Sequence, residues 1–149
     1  NYGGNLPIIR YAEILLSYLE AKLEAGQAIT QADLDQTINK VRGRASVGMP
    51  PITTTDPSAL REILRKERRV ELAFEGIRYW DLLRWDIAKE VLNADFYGAS
   101  FPGAKKQRLK GGQADPKSRW YVTSRKFRDG VDNTWPIPQS EVNINPSLE

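Results

Sequence analysis

Between Leu6 and Ala25 the apolar positions Ile8, Ala12, Leu15, Leu19 and Leu23 recur at steps of three and four, while Glu13, Glu20, Lys22 and Glu24 lie mostly elsewhere around the cylinder. That period predicts an amphipathic helix. Gly26 stands where a left-handed C-terminal cap belongs, and Thr30 followed by Asp33 has the form of a capping box that opens a second helix. Leu34, Ile38, Val41 and Ala45 give the second helix one apolar stripe. Two helices joined by a short Gly-containing loop form an αα-hairpin, the unit of tetratricopeptide arrays, although only one copy and no internal period are present. A single hairpin cannot bury both of its faces, so this pair is expected to stack on further hairpins, upstream.

MPPITTTDP separates that hairpin from the next helix, and it ends on Asp56 as N-cap with Pro57 at the first helical position, where the missing N–H costs nothing. Leu60, Ile63, Leu64, Val70 and Phe74 are expected to face one way along a third helix, with Glu62 four residues before Lys66. Gly76 interrupts it. Trp80, Leu83, Ile87 and Val91 then restore a helical stripe to about Asn93. Residues 95–149 are rich in glycine and proline and keep no sustained period. Short extended pieces are expected at Trp120–Phe127 and around Trp135–Ile137, and the rest of this third reads as loop.

Composition narrows the chemistry. The chain has 149 residues, 40% hydrophobic and 28% charged, ordinary values for one globular domain with a real core. It has no cysteine and no histidine, which excludes disulfides, Cys-rich zinc sites, thiol nucleophiles and His-based triads together. No run approaches the roughly 18 uncharged apolar residues that a membrane-crossing helix needs. The formal charge of +3 belongs to the tail, because residues 1–94 hold 13 basic and 13 acidic side chains.

The segment Glu67 to Trp85, ERRVELAFEGIRYWDLLRW, packs four acids, four arginines and four aromatics into nineteen residues. Side chains this charged resist burial unless paired and hydrogen-bonded. Glu67, Glu71 and Glu75 repeat every four residues, which places three carboxylates in one column on a helix. One reading is an acid/base or nucleophile pair of the kind that flanks a glycosidic bond. The other is a column that accepts salt bridges from Arg68, Arg78 and arginines on packed helices such as Arg10, Arg42 or Arg44. Spacing favours the second, since Arg68 and Arg78 stand three residues from Glu71 and Glu75. Asp81 is likewise three residues from Arg78 and Arg84, which suits a clamp.

Phe74, Tyr79, Trp80 and Trp85 offer a stacking platform for sugar rings or bases, but Phe74 and Trp80 lie on the apolar stripes and are expected in the core. The basic clusters RKERR, KKQRLK and SRKFR raise nucleic-acid binding. Acids beside the first cancel it. The other two lie near Phe101, Trp120, Tyr121 and Phe127 and read first as solvated surface.

RYAEILLSYLEAK (Arg10 to Lys22), INKVRGRAS (Ile38 to Ser46), LREILRKERRVELAFEGIRYWDLLRW (Leu60 to Trp85) and WPIPQSEVNINPSLE (Trp135 to Glu149) resemble, in this order, the C-terminal part of the SusD/RagB family. ERRVELAFEGIRYWDL together with PIPQSE carries most of the likeness. The resemblance implies a mainly α protein of tetratricopeptide-like helical hairpins with a loop-rich C-terminal third, here a fragment of a larger SusD-like α domain. Within it, residues 1–48 are the αα-hairpin, 56–94 the central helices and 95–149 the irregular segment.

The resemblance further implies a surface glycan-binding lipoprotein of the bacterial outer membrane, its lipid anchor outside this sequence. Its partner would be a SusC-like TonB-dependent transporter, to which it delivers oligosaccharides or, in some members, peptides. It implies no catalysis and no cofactor, metal or nucleic-acid ligand. No binding residue carries over by position, so the ligand surface is sought among exposed aromatics of the loop-rich region, with Trp120 and Tyr121 the candidates ahead of Trp80. The alternatives are a helical protein-interaction scaffold and a glycoside hydrolase using Glu67, Glu71 and Glu75.

Overall fold

The computed structural model describes residues 8–99, 110, 111, 115, 117, 119–134, 137–145 and 147. Leu6, Phe101, most of KKQRLK, Trp135 and the first part of the extended piece expected around it lie outside the described residues. The fold is mainly helical, as expected, and the chain divides after Arg78 into two compact units. Among the described residues no helix is long and apolar enough to cross a membrane.

The first unit contains helices α1 (Tyr11–Glu24), α2 (Gln31–Gln36), α3 (Ile38–Arg42) and α4 (Pro57–Glu71). Its local signals fold as their chemistry dictates. Gly26 is left-handed at φ +70°, its N–H donates to the Leu23 carbonyl, and the Gln27 N–H donates to that of Lys22, which completes a Schellman closure of α1. Thr30 and Asp33 exchange the two hydrogen bonds of a capping box. Asp56 accepts from the Ala59 N–H with Pro57 behind it, so α4 opens where it should.

The second helix is broken, however. Thr37 adopts φ −120°, ψ −98° and its buried hydroxyl donates to the Asp33 carbonyl at 2.6 Å, which separates α2 from α3. Ala45 falls beyond α3 and is exposed. The linker is pinned rather than loose: the Asn39 side chain accepts from the Ile52 N–H at 2.6 Å and donates to its carbonyl at 2.9 Å, reproducing a strand pairing.

Around α1 the core consists of Ala12, Leu16, Leu19 and Leu23 with Ile29, Leu34, Ile38, Val41, Leu60 and Leu64. The stripes differ from expectation at both ends. Leu16 takes the fully buried place expected of Leu15, and Ile8 lies outside the helix and exposed. On α4 the stripe continues from Leu60 and Leu64 to Arg68, four residues on, so Val70 is exposed. Arg68 is only 3% exposed, and it faces Glu20 of α1, 7% exposed, at 3.6 Å while donating to the Ser17 hydroxyl at 2.9 Å. Glu20, placed on the polar side by its period, is therefore a core acid held by a core arginine.

Helix α4 stops at Glu71, before Gly76. Leu72 is its C-cap, Phe74 is left-handed at φ +67° with its ring fully exposed, and Gly76 at φ +77° leads into α5 (Ile77–Arg84). Phe74 is therefore not a core residue. A side chain in the left-handed region costs roughly 1–2 kcal/mol, so the turn carries strain that a glycine would not.

The second unit holds the remainder of α5, then α6 (Ala88–Leu92), strands β1 (Asp95–Gly98) and β2 (Trp120–Ser124), and α7 (Gln139–Ile144). Among the described residues its buried cluster is Leu82, Ala88 and Phe127, with Leu83, Ile87 and Leu92 packed against it. Trp80 and Val91, expected on the buried stripe, are exposed: α5 buries Asp81 and Leu82 instead of Trp80, and the turn at Trp85–Asp86, with Asp86 at φ +54°, resets the helical phase before Val91. Asp81 is buried, and Arg84 reaches its carboxylate at 2.8 Å. Asn93 joins α6 to the chain after β2, accepting from the Phe127 N–H at 2.7 Å.

Candidate functional site

The extended piece expected at Trp120 exists, and its partner is β1, a segment expected as loop. The strands pair antiparallel with Asp95 opposite Ser124, Phe96 opposite Thr123, Tyr97 opposite Tyr121 and Gly98 opposite Trp120. One residue too many on β2, at Val122, makes a bulge between the pairs of Phe96 and Tyr97. Opposed residues share a face of a sheet and neighbours along a strand alternate. Trp120 and Tyr121, taken together as candidates from the sequence, thus stand on opposite faces and cannot stack on one ligand.

Tyr121 belongs to a closed polar network. Its ring meets Tyr97 edge to face at 5.9 Å, and its hydroxyl lies 2.8 Å from Ser124 Oγ, which donates to Asp95 Oδ1 at 2.7 Å. Lys110 donates to both oxygens of Asp95 at 2.7 and 2.8 Å. Lys110, and after it Ser124, hold the Asp95 carboxyl below its usual range. The Arg119 guanidinium covers Tyr97 at 4.1 Å and is itself clamped by Asp115 through contacts of 2.8 and 3.1 Å. That arginine keeps the Asp115 carboxyl well below the carboxylate range. Every hydrogen-bonding group named here already has a protein partner, so this face stabilises the sheet.

The opposite face is open. It presents Phe96, Trp120, Val122 and Thr123 around Gly98, and Trp120 is 39% exposed. Gly98 has no side chain to cover the indole; its Cβ position lies 3.8 Å from Trp120 Cβ and 4.0 Å from Val122 Cγ2. Arg125, fixed by its backbone N–H to the Ala94 carbonyl at 3.0 Å, lays its guanidinium over Phe96 at 3.9 Å. Two exposed aromatic side chains on one face, with a planar cation over Phe96, suit a ligand with an apolar ring face and polar rim.

The column of acids has a different fate. Glu67 receives Arg42 at 2.6 Å, Glu71 receives Arg10 at 3.0 Å and Arg44 at 2.6 Å, and Glu75, beyond the end of α4, receives Arg10 at 2.6 Å. Glu75 more than Glu71 raises the Arg10 guanidinium above its ordinary range. Arg10 Nη2 also donates to the Glu71 carbonyl at 2.7 Å, capping the last turn of α4. The salt-bridge reading thus describes the geometry, with the arginines supplied by other elements; Arg68, expected beside Glu71, instead serves Glu20.

A second concave surface lies in the first unit, where Tyr11, Leu15, Tyr18, Asp35 and Lys40 line a cavity of about 540 Å³. Lys40 stands over the Tyr11 ring at 5.4 Å, and Tyr11, Ile14 and Tyr18 are exposed along the outer side of α1. This is the hairpin face that the sequence left without a partner.

A model of the SusD family matches residues 1–149. One SusD-like protein of Formosa agariphila is 36% identical over 92 residues, which cover 59% of this chain and 18% of its own length. Another is 28% identical over 150 residues, covering 99% of this chain and 24% of its own. Among solved structures, a SusD-like carbohydrate binding protein from Bacteroides fragilis shares 59% identity and a TM-score of 0.88 over 96% of this chain and 28% of that one. A second SusD-like protein of that organism shares 32% identity and a TM-score of 0.61 over 93% of this chain and 24% of its own. The chain spans between 18% and 28% of the length of these four relatives.

Proposed function

The chain belongs to the SusD family, and on that premise we propose that it is part of a glycan-binding component of a SusCD-like uptake system at the outer membrane. It captures oligosaccharides at the cell surface and passes them to a SusC-like TonB-dependent transporter, without chemistry on the substrate. The observation that carries this reading is the likeness, at 59% identity, to a SusD-like carbohydrate binding protein. Within this chain the binding surface is the open sheet face, with Trp120 as the stacking residue and Phe96 beside it. Tyr121 serves that face indirectly, through the network that holds β2 to β1.

A glycan array on the full chain, repeated with Trp120→Ala, tests the reading. Binding to a subset of glycans, lost in the variant without a change in melting temperature, supports it. New reducing ends released from a bound polysaccharide, and abolished by Glu71→Gln, would replace it with the hydrolase alternative.

A protein-interaction scaffold is the second reading, favoured by the exposed Tyr11, Ile14 and Tyr18 along α1. Glycan binding unaffected by Trp120→Ala, together with capture of a SusC-like transporter that is lost in a Tyr11→Ala/Tyr18→Ala double variant, would move the function of this chain to that face.

A further inference from the structure

The open sheet face carries a charge that the proposed stacking role does not use. The four aspartates from Asp95 to Asp132 are each already held by a cation: Asp95 by Lys110, Asp115 by Arg119, Asp129 by Lys89 and Asp132 by Arg128. Arg125 takes part in none of these pairs. Among the described residues its guanidinium contacts the Phe96 ring and no carboxylate. Stacking on an aromatic ring uses the flat face of a guanidinium and leaves its N–H edge directed elsewhere. The ring also fixes the plane of that edge, so less freedom is lost when an acceptor binds. On the sheet face that also carries the exposed indole, this is a preorganised donor edge with positive charge and, among the described residues, no counter-ion.

We infer that the glycan bound at the Phe96–Trp120 face carries acidic groups, uronic carboxylates or sulfates, and that Arg125 is the residue that selects for them. The inference rests on the reading of this face as the glycan surface. Trp120 takes the apolar face of a sugar ring, and Arg125 donates paired hydrogen bonds to an anionic substituent at its rim. Charge-assisted, two-pronged contacts of this kind discriminate geometry as well as charge. Asp95 and Asp115 lie on the side of the Tyr97 and Tyr121 network, where their own cations neutralise them, so they do not oppose an anion here.

The test is a set of matched oligosaccharide pairs, each a uronic-acid or sulfated glycan and its methyl-esterified or desulfated counterpart, measured calorimetrically against the full chain and its variants. At low ionic strength the acidic member should bind about tenfold tighter or more, with the gap closing as salt is added. Arg125→Gln should bring the two members to within about twofold at unchanged melting temperature, Arg125→Lys should restore part of the preference, and Trp120→Ala should weaken both members alike. Equal binding of a pair that remains sensitive to Trp120→Ala would overturn the acidic preference and leave the aromatic face standing. Binding indifferent to both Trp120→Ala and Phe96→Ala, or absent for every pair, would overturn the face itself and the inference with it.

Discussion

The unit that ends at Arg78 and the unit that begins at Tyr79 handle charge in opposite ways. In the first, arginines point inward or along the seam between helices: Arg68 sits in the core against Glu20, and Arg10, Arg42 and Arg44 knit α4 and the turn after it to the preceding elements. In the second, the arginine pairs close short loops, as Arg128 does with Asp132 and Arg119 with Asp115, both four residues apart, while lysines make the longer links, Lys110 to Asp95 and Lys89 to Asp129. Among the described residues the first has ten buried apolar residues in its cluster and the second three. Ion pairs that join distant elements around a large core are part of the fold's integrity. Pairs within one loop shape a surface, on which an aromatic side chain such as Trp120 stays exposed.

The strongest way to break this contrast is Arg68→Ala, which leaves Glu20 buried without its cation and should cost about 3–5 kcal/mol of unfolding free energy in a urea titration. Replacing both, Arg68→Met with Glu20→Leu, should recover most of that loss. If Arg119→Ala destabilised the chain as much as Arg68→Ala, the division of labour between the two units would not hold. Next in size is Glu71→Ala, which removes a largely covered carboxylate shared by Arg10 and Arg44, leaves Arg10 with Glu75 alone among its carboxylates, and should cost about 1–2 kcal/mol with no change in glycan affinity. A loss of affinity at an unchanged melting temperature would put the carboxylate in the binding machinery instead.

The smallest effect concerns Asp33, which Lys22 first and the Thr30 backbone and hydroxyl second hold down to about 2. A depressed carboxyl stabilises the fold above its unfolded value of about 4 and loses that contribution as pH falls through its folded value. The melting temperature of Asp33→Asn should therefore lie below that of the unaltered chain at pH 7, with the gap closing between about pH 4 and pH 2. A gap that persists at pH 2 would assign the effect to the shape of the cap rather than its charge.

Some of this was legible along the chain because the physics is local. The box at Thr30 and Asp33, the closure at Gly26 and the start at Asp56–Pro57 each depend on groups within five residues of one another, and each forms as its spacing predicts. The stripes were less reliable at their ends. Ile8, Val70, Phe74 and Trp80 match an apolar period yet are exposed: Ile8 lies before the first turn of α1, the buried stripe of α4 runs through Arg68 instead of Val70, and Phe74 sits in a left-handed turn ahead of α5. The sheet that carries the candidate surface was half legible. Composition pointed to Trp120, but β1 was unread because Asp95–Gly98 is four residues long and its partner lies more than twenty residues on.

What the sequence alone determined is the helical class, the caps that punctuate it and the family motif around Glu67 to Trp85, all consequences of spacing within one segment. What only the tertiary structure decided is which charges are buried and which face each aromatic occupies. Glu20 and Glu24 look alike in the chain, yet one lies against Arg68 in the core and the other meets Arg61 at the surface. Trp120 and Tyr121 alternate to opposite sides as neighbours in a strand must, but the pairing with β1 decides what each meets, Gly98 opposite Trp120 and Tyr97 opposite Tyr121. The cost of burying a charge and the face a side chain takes are both set by the partner across the contact, and that partner is distant in sequence.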